Sequence, residues 1–139
     1  MNGKTFVDTN ILVYAHDPGS GAKHAAAKSL VSWLWRERSG VISTQVLQEF
    51  YVNLRKVARK PTTQVEAKGV LTDYLAWEVV VNDGAALLEA LELESRYKLS
   101  FWDALIVQAA NAAGADELCS EDFNHGQVYG MVTAVNPFR

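Results

Sequence analysis

The chain has one cysteine, Cys119, in 139 residues, so it can form no internal disulfide. That excludes the small cystine-stapled scaffolds and fits a reducing compartment. No apolar run approaches the ~20 residues of a membrane span. The N-terminus lacks a basic segment followed by an apolar stretch, so no secretory signal is expected and the expected location is the cytoplasm. Repeats, low-complexity tracts and domain boundaries are missing, and the length is that of one domain, residues 1–139. Also missing are a Walker loop, a dinucleotide-binding glycine fingerprint and a Ser-His-Asp order. His16, His24 and His125 have no metal-ligand spacing to one another or to Cys119; His125 stands out only because it lies three residues after Asp122. Positive charge is in deficit, with 13 Lys and Arg against 16 Asp and Glu. Setting aside the four acids singled out below leaves a remainder of +1, so the net charge of −3 does not exclude an anionic substrate.

What is present is an ordinary globular composition, 49% hydrophobic and 21% charged, which argues against disorder. Thr5-Phe6-Val7 reads as a short buried strand, and Thr9 and Asn10 as caps for a helix that continues through Ile11 to Ala15. Lys23 to Arg38 is helical in pattern and Gly40 stops it. Val41-Ile42 is a strand stub. Ser43 or Thr44 caps a helix carrying Val46, Leu47, Phe50, Tyr51, Leu54 and Val57 on one face. Pro61 ends the linker after it, and Thr63 and Glu66 have capping-box spacing for a helix running to about Leu75. Trp77 to Val81 reads as a buried strand. Asp83 caps a helix through Leu87, Leu88 and Leu91 to about Tyr97, and Ser100 starts the most apolar helix, Phe101 to Ala113, ended by Gly114. Glu117 to Cys119 is a strand, Ser120 to Gly130 a loop, and Met131 to Val135 a last strand. Strands alternating with helices predict an α/β protein: a three-layer α/β/α sandwich with a mostly parallel central sheet.

Four acids fall where strands end or helices begin. Asp8 follows the first strand, where open α/β sheets bind ligands, although a turn or cap role would explain it as well. Asp103 follows Ser100 at capping-box spacing, in a first turn where the helix dipole favours a carboxylate. The same field favours the ionised form that a metal needs. Glu49 lies off the apolar face of its helix, the place of an ordinary solvated glutamate. Asp122 follows a strand as Asp8 does, with Glu121 beside it able to take the same role. Met in one pocket, Asp8, Glu49, Asp103 and Asp122 would be a set of oxygen ligands suited to Mg²⁺ or Mn²⁺ rather than zinc.

In order along the chain, Val7-Asp8-Thr9-Asn10, Gln48-Glu49-Phe50, Trp102-Asp103-Ala104-Leu105-Ile106 and Ser120-Glu121-Asp122-Phe123 resemble the four acidic motifs of PIN-domain ribonucleases. The ending Asn124-His125-Gly126-Gln127 and Asn136-Pro137-Phe138 is similar to a branch of VapC-type toxins. The resemblance covers essentially the whole chain. It implies an α/β/α sandwich and Mg²⁺- or Mn²⁺-dependent RNA cleavage. As partners it implies an RNA substrate, a second copy in a homodimer and a cognate antitoxin. Carried over by position, Asp8, Glu49, Asp103 and Asp122 take the catalytic and metal roles, with Thr9, Asn10 and Ser120 supporting them; Glu121 stands at a variable position and stays outside the core set. One or two ions held there would lower the pKa of a bound water for in-line attack at phosphorus, and the resemblance implies 5′-phosphate and 3′-hydroxyl products. Arg55, Lys56, Arg59 and Lys60 end the helix that carries Glu49. They are read as a contact surface for RNA phosphates, although basic residues at a helix C-terminus are favoured by the dipole in any case. A receiver-type signalling domain, the alternative with an acidic Mg²⁺ pocket, needs paired acids after the first strand and a lysine late in the chain; here Asp8 stands alone and no lysine follows Lys98. A PIN-like module that only binds a partner is opposed by the presence of all four acids.

Overall fold

The computed structural model describes residues 3–56 and 62–139. Its elements run β1 (Thr5–Val7), α1 (Thr9–Ala15), a 3₁₀ turn (Pro18–Ser20), α2 (Ala22–Glu37), β2 (Gly40–Ser43), α3 (Thr44–Lys56), α4 (Gln64–Tyr74), β3 (Glu78–Val80), α5 (Gly84–Tyr97), α6 (Phe101–Ala112), β4 (Glu117–Cys119), β5 (Val128–Tyr129) and β6 (Val132–Val135). The six strands form one sheet in the order β3-β2-β1-β4-β6-β5, parallel except for β5 against β6.

The order itself places the helices. From β1 the chain steps outward to β2 and β3, then jumps back across β1 to β4. Right-handed crossovers in opposite directions put their helices on opposite faces. Accordingly α1 packs on α2 and α3, and α3 on α4, while α5 pairs with α6. The core is the apolar filling of these layers, with Phe6, Ile11, Leu12, Leu34, Ile42, Phe50, Ile106 and Leu118 among its fully buried side chains.

Local chemistry explains most boundaries. The Thr63–Glu66 capping box is present in both directions, and Asp83 and Ser100 cap α5 and α6 through the N–H groups of Ala86 and Asp103. Ser43 caps α3 by accepting from Val46 N, while Thr44 instead binds Asn82 N after β3. The helix after β1 is capped by Asp8, not by Thr9 or Asn10; the Asp8 carboxylate accepts from Thr9 N at 2.7 Å.

Two strand expectations change. Trp77 to Val81 was expected to be a buried strand, yet β3 is an edge strand with Glu78 exposed, Val79 and Val80 half-buried and Val81 exposed. It lies outermost because the chain reverses direction after it. The segment expected to be a loop up to Gly130 contains β5, which pairs with β6 through a turn at Gly130. Gly130 is in the left-handed region at φ 68°, and Asn111 of α6 clamps the turn by donating to Tyr129 O and accepting from Met131 N. That clamp is tertiary and leaves no local signature. Leu87, Leu88 and Leu91 of α5 are exposed, so only part of that helix's apolar surface faces α6. Val57, Arg59, Lys60 and Pro61, which entered the reading of α3 and its linker, lie outside the described residues.

Candidate active site

The sheet reverses its winding between β1 and β4, and open α/β sheets bind ligands beyond the strand ends at such a point. Asp8 leaves β1 there and Ser120 leaves β4 beside it. Ser120 is fully buried, and its hydroxyl is fully used. It donates to Asp8 Oδ2 at 2.7 Å and accepts from Asp122 N at 3.0 Å and Asn10 Nδ2 at 3.3 Å. The Asn10 amide also reaches Asp122 Oδ2 at 3.0 Å and Asp8 Oδ2 at 3.5 Å, so Asn10 and Ser120 tie two acids from separate strands together.

Glu49 comes from α3, one helix away. Its Oε1 accepts from Thr9 Oγ1 at 2.6 Å and its Oε2 from Gln45 Nε2 at 3.2 Å. Gln45 also donates to the Trp102 carbonyl at 3.2 Å, which ties α3 to the first turn of α6, where Asp103 sits. Asp8, Glu49, Asp103 and Asp122 all line one open pocket of about 340 Å³ with Thr9 and Asn10. Among the described residues no lysine or arginine lines it.

The electrostatics show the cost of this arrangement. Burial pushes the Asp8 carboxyl up to about 7, against the opposing hydrogen bonds from Ser120 and Thr9, and the charges of Asp122 and Asp103 push the same way. Asp103 is also raised, by burial first and then by Asp122 and Glu49, with Ser100 opposing. Such a site repels its own ionised form. Its donors are oxygens, with no thiol or imidazole in the pocket, and that set suits a hard divalent cation. Among the described residues no three His, Cys, Asp or Glu side chains are drawn together closely enough to hold one ion. That spacing is compatible with Mg²⁺, which keeps several waters and takes only one or two carboxylates directly.

Glu121 does not join the acids. Its carboxylate holds Lys23 at 2.9 Å and the Tyr14 hydroxyl, and although burial would raise it, these partners hold it below the usual carboxylate value. His125 accepts from Asn136 N, outside the pocket. Arg55 and Lys56 are exposed in the last turn of α3, where Arg55 donates to the Tyr51 hydroxyl, and neither lines the pocket. Arg59 and Lys60 lie outside the described residues. The sequence reading missed Gln45, Asn53 and Trp102 as pocket residues. Gln45 and Asn53 stand four residues before and after Glu49, so helical spacing alone could have placed them on its side. A larger cavity, about 490 Å³, opens at the other end of the sheet near the starts of β1, β2 and β3, between Trp35 and Trp77. Its charged groups include the Lys4–Glu78 ion pair, and it lacks the convergent carboxylates.

The fold recurs in solved structures. A toxin–antitoxin complex from Klebsiella pneumoniae is similar at 21% identity and a TM-score of 0.70, over 96% of this chain and 98% of that one. VapC20 of Mycobacterium tuberculosis, a sarcin-ricin loop cleaving toxin, is similar at 23% identity and a TM-score of 0.64, over 83% and 87%. VapBC2 from Rickettsia felis, bound to a promoter DNA fragment, is similar at 18% identity and a TM-score of 0.65, over 94% and 96%. A search of curated proteins gave no match. The PIN domain family model matches residues 5–131, from the start of β1 past β5, and thus spans all four acidic motifs. The chain belongs to the PIN-domain family.

Proposed function

We propose that this chain is a ribonuclease dependent on Mg²⁺ or Mn²⁺, a single-domain toxin restrained by a cognate antitoxin. The observation that carries this reading is the convergence of Asp8, Glu49, Asp103 and Asp122 on one pocket at the point where the sheet reverses. Solved structures of the same fold include toxin–antitoxin complexes and a sarcin-ricin loop cleaving toxin, which supports RNA as substrate and an antitoxin as partner.

Asp8, Glu49, Asp103 and Asp122 would hold the cation. When bound, it supplies charge to the phosphoryl oxygens and a water of lowered pKa. The protein does the positioning. Ser120 and Thr9 N orient the two oxygens of Asp8, Thr9 and Gln45 orient those of Glu49, and Asn10 holds Asp122. For Asp8 the bonds from Ser120 and Thr9 favour the ionised form against the effect of burial.

The direct test is cleavage of single-stranded RNA with Mg²⁺ or Mn²⁺, with EDTA, and by Asp103→Asn. Asp103 is half-exposed, so the variant should fold, and its activity should be abolished together with that of the parent in EDTA. Undiminished cleavage by the parent in EDTA, or by Asp103→Asn in metal, rejects the mechanism.

A further inference from the structure

Trp102 is the second residue of α6, directly before Asp103, and it lines the acidic pocket while remaining 62% exposed. A tryptophan this open is unusual. Its ring meets the Phe101 ring edge-on, with centroids 5.1 Å apart at 71°. Its carbonyl is held by Gln45, the same amide that orients Glu49. The flat apolar surface and the carboxylate donors are therefore set on one support. The pocket also carries the amide side chains of Gln45 and Asn53.

We propose that Trp102 is a stacking platform for one unpaired nucleobase next to the cleaved phosphodiester. This rests on the ribonuclease reading and extends it: the preferred substrate is RNA whose bases are unstacked at the cleavage point. Among the described residues the pocket is lined by four acids and no lysine or arginine, so a contact independent of charge adds to what a bound cation would supply. Base–aromatic stacking supplies ~1–3 kcal/mol per base and requires a base free of its helix.

The test uses the full chain with Mn²⁺ on a labelled single-stranded oligoribonucleotide, on copies abasic at each position around the cleaved bond, and on its duplex. Trp102→Phe, Trp102→Leu and Trp102→Ala are compared with the parent, with melting curves as folding controls. The parent should prefer the single strand and lose activity at one abasic position. Trp102→Ala and Trp102→Leu should lose about 5–150-fold in kcat/KM and no longer respond to that position, whereas Trp102→Phe should keep most of both. Leucine retains bulk, so loss with leucine and retention with phenylalanine identifies stacking rather than packing. A parent that cleaves while Trp102→Ala matches its constants and its abasic response overturns the platform and leaves the ribonuclease standing. Unchanged RNA constants with loss of a bound protein partner reassign Trp102 to a protein interface and overturn it as well. A parent that cleaves no RNA with either metal rejects the ribonuclease reading and the platform with it.

Discussion

Asp8 makes stability depend on pH in a calculable direction. Its carboxyl loses a proton near 3.8 when unfolded and near 7 when folded. Between those values the unfolded chain has released the proton that the folded chain still holds, so rising pH favours unfolding. The stability present at acid pH is lost across roughly pH 4 to 7, by an amount on the order of 4 kcal/mol. Asp103, also raised, adds in the same direction. Denaturant melts in EDTA should therefore show the parent weakening over this window and Asp8→Asn weakening much less, with the variant the more stable protein at pH 7.5. Mn²⁺ should raise the melting temperature of the parent at that pH, because a ligand for the folded state stabilises it, and should do little for Asp8→Asn. A parent whose metal-free stability rises from pH 4 to 7 would contradict the burial of this carboxylate.

Short elements depend here on single close contacts. Gly40 opens β2 directly beneath Trp77, and a Cβ at that position would lie 2.4 Å from the Trp77 ring. Tyr74 and Trp35 pack on that ring at centroid distances of 5.2 and 5.4 Å, so its retreat would disturb both contacts. Gly40→Ala should thus cost about 1–3 kcal/mol as overpacking, measured as a lower urea midpoint with an unchanged slope. Metal-dependent activity below the melting point should persist, since the acids lie at the other end of the strands. A neutral Gly40→Ala would mean that the aromatic cluster shifts freely. In α3 an apolar face carries Val46, Phe50 and Leu54 into the core while Gln45, Glu49 and Asn53 line the pocket at steps of four. One helix therefore serves core and site together.

The whole molecule presents two surfaces that test its proposed partners. On α5, Leu87 and Leu91 are 46% and 44% exposed, one turn apart, with Leu88 beside them at 65%. If the implied homodimer uses this face, sedimentation should show the parent as a dimer and Leu87→Glu with Leu91→Glu as a monomer. A dimer that survives both charges does not use α5. The second is the exposed pair Arg55 and Lys56 in the last turn of α3, with Arg59 and Lys60 following them in sequence. Replacing Arg55, Lys56, Arg59 and Lys60 with serine should weaken RNA binding across sequences and flatten the slope of log K against log salt, because each neutralised phosphate releases counterions. An unchanged slope would leave Arg55 and Lys56 as a solvated helix end.

A linear reading finds the alternation of strands and helices, the caps at Thr63, Asp83 and Ser100, and the places of Asp8 and Asp122 after strands and of Asp103 at a helix start; Glu49, expected at such a place too, lies inside α3. The features found follow from side chains acting on their own backbone within a few residues. Long-range packing sets the rest: β3 is an edge, β5 exists, Glu121 turns to Lys23 and Tyr14, and Gln45 bridges Glu49 to α6. Each depends on a partner far away in the chain, such as Asn111 for the β5 turn or Trp102 for Gln45. Asp8 shows the division most clearly. Its place after β1 is local, but its raised proton affinity comes from burial at the strand ends and from two acids more than 90 residues away in sequence.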